Sequence, residues 1–322
     1  MKAIVYHRFG PPEVLEIVDI PKPTPGNGEV LVKVRATTVT AADWRARSLQ
    51  VPRGFGFVAR LVFGFLRPRR PILGMELSGD VEATGEGVRE LEPGDAVFAS
   101  TGFRMGCYVE HVCLPESGAL APKPGNLSYE EAAAISFGGA TALRFLRRAR
   151  VRSGEEVLVN GASGACGTAA VQLAKHFGAR VTGVCSTANL ELVRSLGADR
   201  VIDYTREDFT RGGDRYDIIV DTAGTAPYAR SKGSLKKGGR LLLVLGSLAD
   251  ILRAPWVSMT SDKKIIAGAS GGGAEDLRFL ASLAEAGRYR PVIDRRYSFE
   301  QVVEAHRYVD TGHKRGNVVL VP

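Results

Sequence analysis

The run Val157-Leu158-Val159-Asn160-Gly161-Ala162-Ser163-Gly164-Ala165-Cys166-Gly167-Thr168 constrains this chain more than any other stretch. A short apolar strand pattern passes through a glycine turn directly into a helical pattern over 165–178. That is the context a dinucleotide fingerprint requires. Gly161 lets the chain turn tightly at the strand end, Gly164 lets backbone N–H groups approach a pyrophosphate, and Gly167 lets the helix pack closely on the sheet. The helix N-terminus adds an electrostatic preference for the anion. Ser163, Ala165 and Cys166 complete the turn. The spacing departs from strict G-x-G-x-x-G, because Ala162 occupies the first glycine position and Gly161 precedes it. Surface turns explain most isolated glycine clusters; the flanking strand and helix set this one apart.

Strand and helix signals alternate on both sides of the turn. Strands are predicted at 155–161, 179–185, 200–203, 216–222, 239–246 and 264–269. Helices are predicted at 128–150, 165–178, 188–197 and 276–286, the first opened by Ser128 with Glu130 and Glu131 in its first turn. Alternation with buried strand runs predicts a mostly parallel, doubly wound sheet. The first third is different. Short runs at 2–6, 29–35, 79–84, 95–99 and 108–113 are separated by Pro-Gly, Asn-Gly and Gly-Asp punctuation, which predicts a compact β-rich unit. The change of character falls near Pro122–Gly125. A tail helix (299–311) precedes a final strand (317–321) that has no place in the parallel sheet and is expected to return to the N-terminal β unit.

Composition narrows the function. Of 322 residues, 44% are hydrophobic and 24% charged, which excludes a disordered chain. The net charge of +8 suits a phosphate-bearing cofactor. Four cysteines without a CxxC pair do not make a disulfide framework, and a reducing cytoplasmic location is expected. The start of the chain lacks a signal-peptide h-region, and the most apolar stretch, 54–66, is too short to span a bilayer and carries Arg60.

The end of the second strand of the parallel sheet bears on the choice of nicotinamide. An acidic residue there holds the ribose 2′-hydroxyl of NAD and repels a 2′-phosphate. Cys185-Ser186-Thr187-Ala188-Asn189 has no carboxylate. Ser186 and Thr187 can donate to phosphate oxygens, with Arg194 as a further candidate, so NADPH is favoured over NADH. The alternative is that both hydroxyls cap the helix beginning near Ala188.

Beyond these local signals, MKAIVYHRFGPPEVLEI, GNGEVLVKV, ILGMELSGDVEATGEGV, PGDAVFA, NGASGACGTAAVQLAK, LGADRVIDY, IIVDTAG and GNVVLVP occur in order along essentially the whole chain. In this it resembles the medium-chain dehydrogenase/reductase superfamily, in its zinc-free quinone oxidoreductase branch. The resemblance implies an α/β protein with a GroES-like β-rich catalytic domain over 1–123 and 290–322, and a Rossmann doubly wound domain over 124–289. The catalytic zinc of the alcohol dehydrogenase branch is checked at its ligand positions. Thr40 stands where a cysteine is expected and Met75 where a histidine is, and Glu76 alone is a poor substitute. The four-cysteine structural lobe is missing as well. No zinc is therefore expected.

Without a Lewis acid, reduction of a quinone or an α,β-unsaturated carbonyl by hydride transfer from NADPH is the implied reaction. Thr40, Asp43 and Arg45 are the candidate catalytic residues. Strand-end hydrogen bonding is the alternative for the first two, and a solvated surface arginine for the third. Cofactor contacts implied by the resemblance are Thr141, Tyr204, Gly224, Leu245, Gly246 and Asn317, beside the glycine turn, Ser186 and Thr187. A homodimer is implied, with the edge strand near 264–269 pairing across a two-fold axis. The competing functions are a zinc-free alcohol or aldehyde oxidoreductase and a non-catalytic NADPH-binding protein.

Residues 51–71 combine four phenylalanines with Arg60, Arg67, Arg69 and Arg70. A packed loop-helix is the favoured reading, a substrate lid the second and a peripheral lipid contact the third; no stable membrane association is expected. Arg144, Arg147, Arg148, Arg150 and Arg152 read as a solvated face, and with no nucleic-acid module beside them no nucleic-acid partner is expected. Ala165 breaks any GxSxG elbow, Cys166 reads as small-residue packing, and none of the five histidines has a partner at metal spacing.

Overall fold

A computed structural model of the chain describes residues 1–268 and 272–322. Its first strands are β1 (Lys2–Val5), β2 (Glu16–Asp19), β3 (Glu29–Val39), β4 (Glu76–Thr84), β5 (Ala96–Ser100), β6 (His111–Pro115) and β7 (Leu120–Pro122). Then come β8 (Glu156–Asn160), β9 (Arg180–Cys185), β10 (Arg200–Asp203), β11 (Tyr216–Asp221), β12 (Leu235–Leu243) and β13 (Lys264–Ala267). The last are β14 (Ile293–Ser298) and β15 (Asn317–Val321). The helices begin with α1 (Ala41–Ser48), α2 (Gly56–Phe63), α3 (Tyr129–Ala133), α4 (Ser136–Ala149) and α5 (Ala165–His176). They continue with α6 (Leu190–Ser195), α7 (Tyr228–Ser231), α8 (Leu248–Thr260), α9 (Ala274–Glu285) and α10 (Val302–Asp310).

These elements form two compact units. One holds 1–51, 56–140 and 272–322, the other 52–55 and 141–271. In the second unit the sheet order is β10-β9-β8-β11-β12-β13, all parallel. Counted from β8, this is the Rossmann order 3-2-1-4-5-6. Leu158, Ile219 and Leu241, wholly buried, run through the middle of the sheet, which is why these strands read as continuous apolar runs. Strand β13 is the edge, and Ala269, the end of the strand expected over 264–269, lies outside the described residues.

In the first unit a seven-stranded sheet runs β14-β15-β3-β4-β5-β7, with β6 also on β3 and β1 and β2 forming a separate hairpin. The final strand does return to the β unit: β15 pairs antiparallel with β3 and parallel with β14. The unit is less purely β than its sequence suggests. Helix α1 is closed by a capping box, Thr40 with Asp43, and α3 by another, Ser128 with Glu131. The helix expected over 128–150 is two helices, α3 and α4.

The limits of the units differ from 1–123 with 290–322 against 124–289. Segments 124–140 and 272–289 pack with the β-rich unit. The Asn126 side chain donates to the Ala284 carbonyl at 2.9 Å, and Gly139 lies against Leu280 and Tyr289. Helix α9, with Leu277, Leu280 and Leu283 buried, belongs to that core rather than to the parallel sheet. The arginines at 144, 147, 148, 150 and 152 are exposed.

Candidate functional site

In the parallel-sheet unit the glycine turn joins β8 to α5. Gly161 has φ +80°, a conformation that favours glycine, and its carbonyl approaches Gly167 so closely that a Cβ on Gly167 would sit 2.0 Å from it. Gly164 is the N-cap of α5, and no side chain caps the helix there. A Cβ on Gly164 would meet only the Gly161 carbonyl, at 3.7 Å. The helix end therefore presents backbone donors and its positive dipole end, with room in front of Gly164 for a phosphate.

Neighbouring strand ends surround this turn. Asn189 is buried and joins two of them, donating to Ser163 Oγ at 3.3 Å and Ser186 Oγ at 3.0 Å. Its Oδ1 is buried with no hydrogen-bond partner among the described residues. Ser186 Oγ accepts from Asn189, and among the described residues its own hydrogen has no acceptor. Thr187 differs: its hydroxyl donates to Asp203 at the end of β10, so the expectation that both hydroxyls are available is corrected for Thr187. Asp203 also accepts from the Thr205 backbone and hydroxyl and has the Arg206 guanidinium 3.7 Å away, and the Thr187 and Thr205 bonds hold its carboxyl below the usual range. Arg194 is paired with Glu191. The Tyr204 ring, directly after Asp203, is exposed.

At the end of β11, buried Asp221 accepts from Asn160 Nδ2 at 2.8 Å and from the backbone N–H groups of Ala223, Gly224 and Ala226. This fixes the loop in which Gly224 (φ +73°) faces Leu245, followed by Gly246. The structure thus gathers Gly161, Ser163, Gly164, Ala165, Cys166, Gly167, Ser186, Thr187, Tyr204, Gly224, Leu245 and Gly246 at the carboxyl ends of one sheet, where doubly wound folds bind ligands. Thr141 is buried in α4 of the same unit. Asn317 is buried at the start of β15 in the β-rich unit and donates to the Val292 carbonyl at 3.0 Å.

The β-rich unit carries the catalytic candidates. Asp43 is wholly buried. Its Oδ2 accepts from the Thr40 backbone (2.8 Å) and hydroxyl (2.6 Å), and its Oδ1 from Gly74 N–H (2.8 Å). The pair caps α1 and ties it to the segment before β4, so the strand-end hydrogen bonding named as the alternative is what the two side chains do. Arg45 lies two positions beyond Asp43 in α1, and its guanidinium lies 5.2 Å from the Trp44 ring centroid.

Glu76, which the sequence marks only as a poor zinc ligand, heads a buried chain that no sequence motif announces. Glu76 accepts from the Thr38 hydroxyl and the Phe137 backbone N–H. The Thr38 carbonyl accepts from Tyr108 Oη at 3.2 Å, and Tyr108 Oη lies 3.3 Å from His306 Nε2. Arg47 Nε donates to His306 Nδ1 at 3.3 Å. A guanidinium only donates, so Nδ1 carries the lone pair and Nε2 the proton. Burial keeps His306 neutral, well below its ordinary value.

The two carboxyls are displaced upward, Asp43 to about 6 and Glu76 to about 7, chiefly by loss of water. Between 4.5, its ordinary value, and 7, folded Glu76 holds a proton the unfolded chain has released. Its stabilising contribution is complete below pH 4.5 and is lost as pH rises through 7. Glu76→Gln mimics the protonated form at every pH. Relative to wild type, the variant should gain up to ~3 kcal/mol across that window. Thermal melts with a constant difference between the two proteins would remove the buried titration.

The donor set at the zinc-ligand positions does not fit zinc. Thr40 Oγ1 lies 3.9 Å from Met75 Sδ, but the hydroxyl is committed to Asp43 and the thioether is a neutral, soft donor. Glu76 already holds two hydrogen bonds. Among the described residues no group of three His, Cys, Asp or Glu side chains is placed to hold a metal ion.

Two family models match the chain: an alcohol dehydrogenase GroES-like domain over 26–125 and a zinc-binding dehydrogenase domain over 196–320. A 2-methylene-furan-3-one reductase of Solanum lycopersicum is 31% identical over 100% of this chain and 79% of its own length. A chloroplastic NADPH-dependent alkenal/one oxidoreductase of Arabidopsis thaliana is 30% identical, over 100% and 80%. The solved quinone oxidoreductase of Coxiella burnetii superposes with a TM-score of 0.88 at 32% identity, covering 100% of this chain and 99% of that one. With both domains, the sheet order and the glycine turn in place, this chain belongs to the alcohol dehydrogenase-like medium-chain dehydrogenases/reductases, among the quinone oxidoreductases, and is an NAD(P)H-dependent oxidoreductase.

Proposed function

We propose that the protein reduces quinones or α,β-unsaturated carbonyls with NADPH, independently of zinc. The observation that carries this reading is the pair Thr40 and Met75 at the zinc-ligand positions, with the Thr40 hydroxyl locked to Asp43. Nothing there polarises an alcohol oxygen, so acceptors that are electrophilic on their own are favoured. The names of the tomato, Arabidopsis and Coxiella relatives span the same acceptors.

NADPH, when bound, supplies a hydride to the acceptor carbon. The chain's own residues bind and orient it. The glycine turn and the α5 N-terminus hold the pyrophosphate, and Asn189 sets Ser163 and Ser186 around it. The free hydrogen of Ser186 and the exposed guanidinium of Arg206 serve a 2′-phosphate, while Asp203 is engaged by Thr187, Thr205 and Arg206. Tyr204, Gly224, Leu245 and Gly246 complete the contact surface, with Thr141 as a further contact. Asp43 and Thr40 act as positioning residues that fix α1 against Gly74, and proton delivery falls to water. The edge strand β13 pairs with its copy across a two-fold axis, giving a dimer mass in light scattering.

The test is NADPH consumption, followed by absorbance with NADH in parallel, against a quinone, an enone, an enal and no acceptor. Turnover with at least one acceptor and a preference for NADPH are expected. Silence across the panel with NADPH bound would overturn the reading in favour of a non-catalytic role, and reversible oxidation of a secondary alcohol in favour of an alcohol oxidoreductase. Ser186→Asp sharpens the cofactor claim, because a carboxylate there should favour NADH over NADPH by roughly tenfold or more. An unchanged preference would remove Ser186 from phosphate recognition.

A further inference from the structure

Residues 56–70 form a short helix and a turn on the β-rich unit, and little of their apolar surface is covered. Phe57 is 67% exposed and Leu66 91%, and Val58, Leu61, Val62 and Phe65 are exposed beside them. Positions 57, 58, 61 and 62 share one face of α2, four residues apart in each pair. The face is preformed: the Phe57 and Phe65 rings meet edge-on at 6.2 Å, and Phe63 lies 6.3 Å from Phe103, which is itself exposed. Scattered apolar residues are normal on a protein surface, but a contiguous cluster of this kind marks a contact site.

Charge narrows the occupant. Every charged residue between Asp43 and Glu76 is an arginine. Arg60, Arg67, Arg69 and Arg70 are exposed around the apolar face. Arg60 and Arg70 donate to the Phe65 and Phe103 carbonyls, which holds the aromatic turn in place and leaves their charge uncancelled. Arg67 and Arg69 make no ion pair among the described residues. A second copy of this chain fits poorly, because a two-fold axis through the patch would set arginines against arginines. A flat, anionic, apolar-cored surface satisfies both halves of the patch at once.

We propose that this segment docks the protein reversibly on anionic lipid bilayers, with the Phe57–Leu66 face entering the headgroup boundary and the arginines meeting lipid phosphates and carboxylates. No helix among the described residues is long and apolar enough to cross a membrane, so the contact is interfacial. It refines the expectation of no stable association into one of salt-sensitive attachment, because one short apolar face beside a basic cluster holds weakly.

The experiment is sedimentation of the full chain with phosphatidylcholine vesicles, with and without phosphatidylserine, at low and physiological salt. Binding is expected only to the phosphatidylserine vesicles, weakening as salt rises. Arg67→Ser with Arg69→Ser should weaken it by about thirtyfold, and Phe57→Ser with Leu66→Ser by at least about tenfold, with melting temperatures kept. No binding at low salt, or equal binding by both variants, overturns the proposal. So does a wild-type oligomer that dissociates in Phe57→Ser with Leu66→Ser, which would assign the face to self-association. So, finally, does loss of turnover toward apolar acceptors in vesicle-free solution by that variant, which would make the segment a substrate lid.

Discussion

Gly164→Ala and Gly167→Ala, one turn of chain apart, should fail in different ways. The Gly167 variant is expected to lose both stability and cofactor. Its new methyl would sit 2.0 Å from the Gly161 carbonyl oxygen and 2.8 Å from Ala162 Cα, both backbone atoms of the turn itself. Neither is a flexible side-chain end, so β8, the turn and α5 must separate, at a cost of about 3 kcal/mol or more. At Gly164 the same methyl meets nothing closer than 3.7 Å, at an ordinary φ of −79°. The Gly164 variant should therefore melt within about 1 °C of wild type, since a side chain in open space at an unstrained φ costs a few tenths of a kcal/mol. Its methyl points into the space the pyrophosphate needs, and NADPH affinity is expected to fall on the order of a hundredfold. Thermal melts with NADPH titrations separate the two. A Gly164→Ala protein that binds NADPH like wild type would show that the cofactor does not approach this turn.

That turn was legible because it needs only local chemistry, glycines at fixed offsets between a strand and a helix. The parallel strands were legible for a related reason, since strands covered on both faces read as unbroken apolar runs. Asp203, Asp221 and Asn189 were not. The two aspartates act through register: β10 pairs with β9 so that Asp203 lies opposite Cys185, and β11 pairs with β8 so that Asp221 lies opposite Asn160, while Asn189 acts by reaching across to Ser163 from the loop after β9. No spacing in the sequence announces those juxtapositions. Some signals were present and unread. Thr40-Ala-Ala-Asp43 and Ser247-Leu-Ala-Asp250 have capping-box spacing, and each opens a helix that the apolar pattern alone did not suggest. Strand β14 was hidden by its charge, Asp294-Arg295-Arg296, on an edge with one exposed face. The domain limits moved because α9 follows β13 in the chain but packs on the β-rich unit, and chain order is a poor guide where a domain is interrupted.

Arg47 gives the largest stability effect expected in that unit. It is wholly buried, and one of its nitrogens meets both oxygens of Asp310, at 2.7 and 2.6 Å. It also donates to the Gly10 carbonyl at 2.8 Å and to His306. Arg47→Met fills much of the volume but leaves an acceptor on His306 and one on Gly10 without a donor, and Asp310 without its counter-charge. His306 cannot compensate by protonation, because burial is the main cause of its lowered pKa and the arginine charge only the second. The expected loss is about 3–5 kcal/mol. At roughly 2–4 °C per kcal/mol this is on the order of 10 °C in melting temperature. Asp310→Asn should cost a comparable amount for the opposite reason, since it strands a guanidinium in a dry site. Because the two losses share one interaction, the double variant should be less destabilised than the sum of the singles by about 1–3 kcal/mol. Denaturant melts of the four proteins make the cycle. Additive losses would mean that the two charges are held independently, and that His306 and Gly10, rather than Asp310, anchor the arginine.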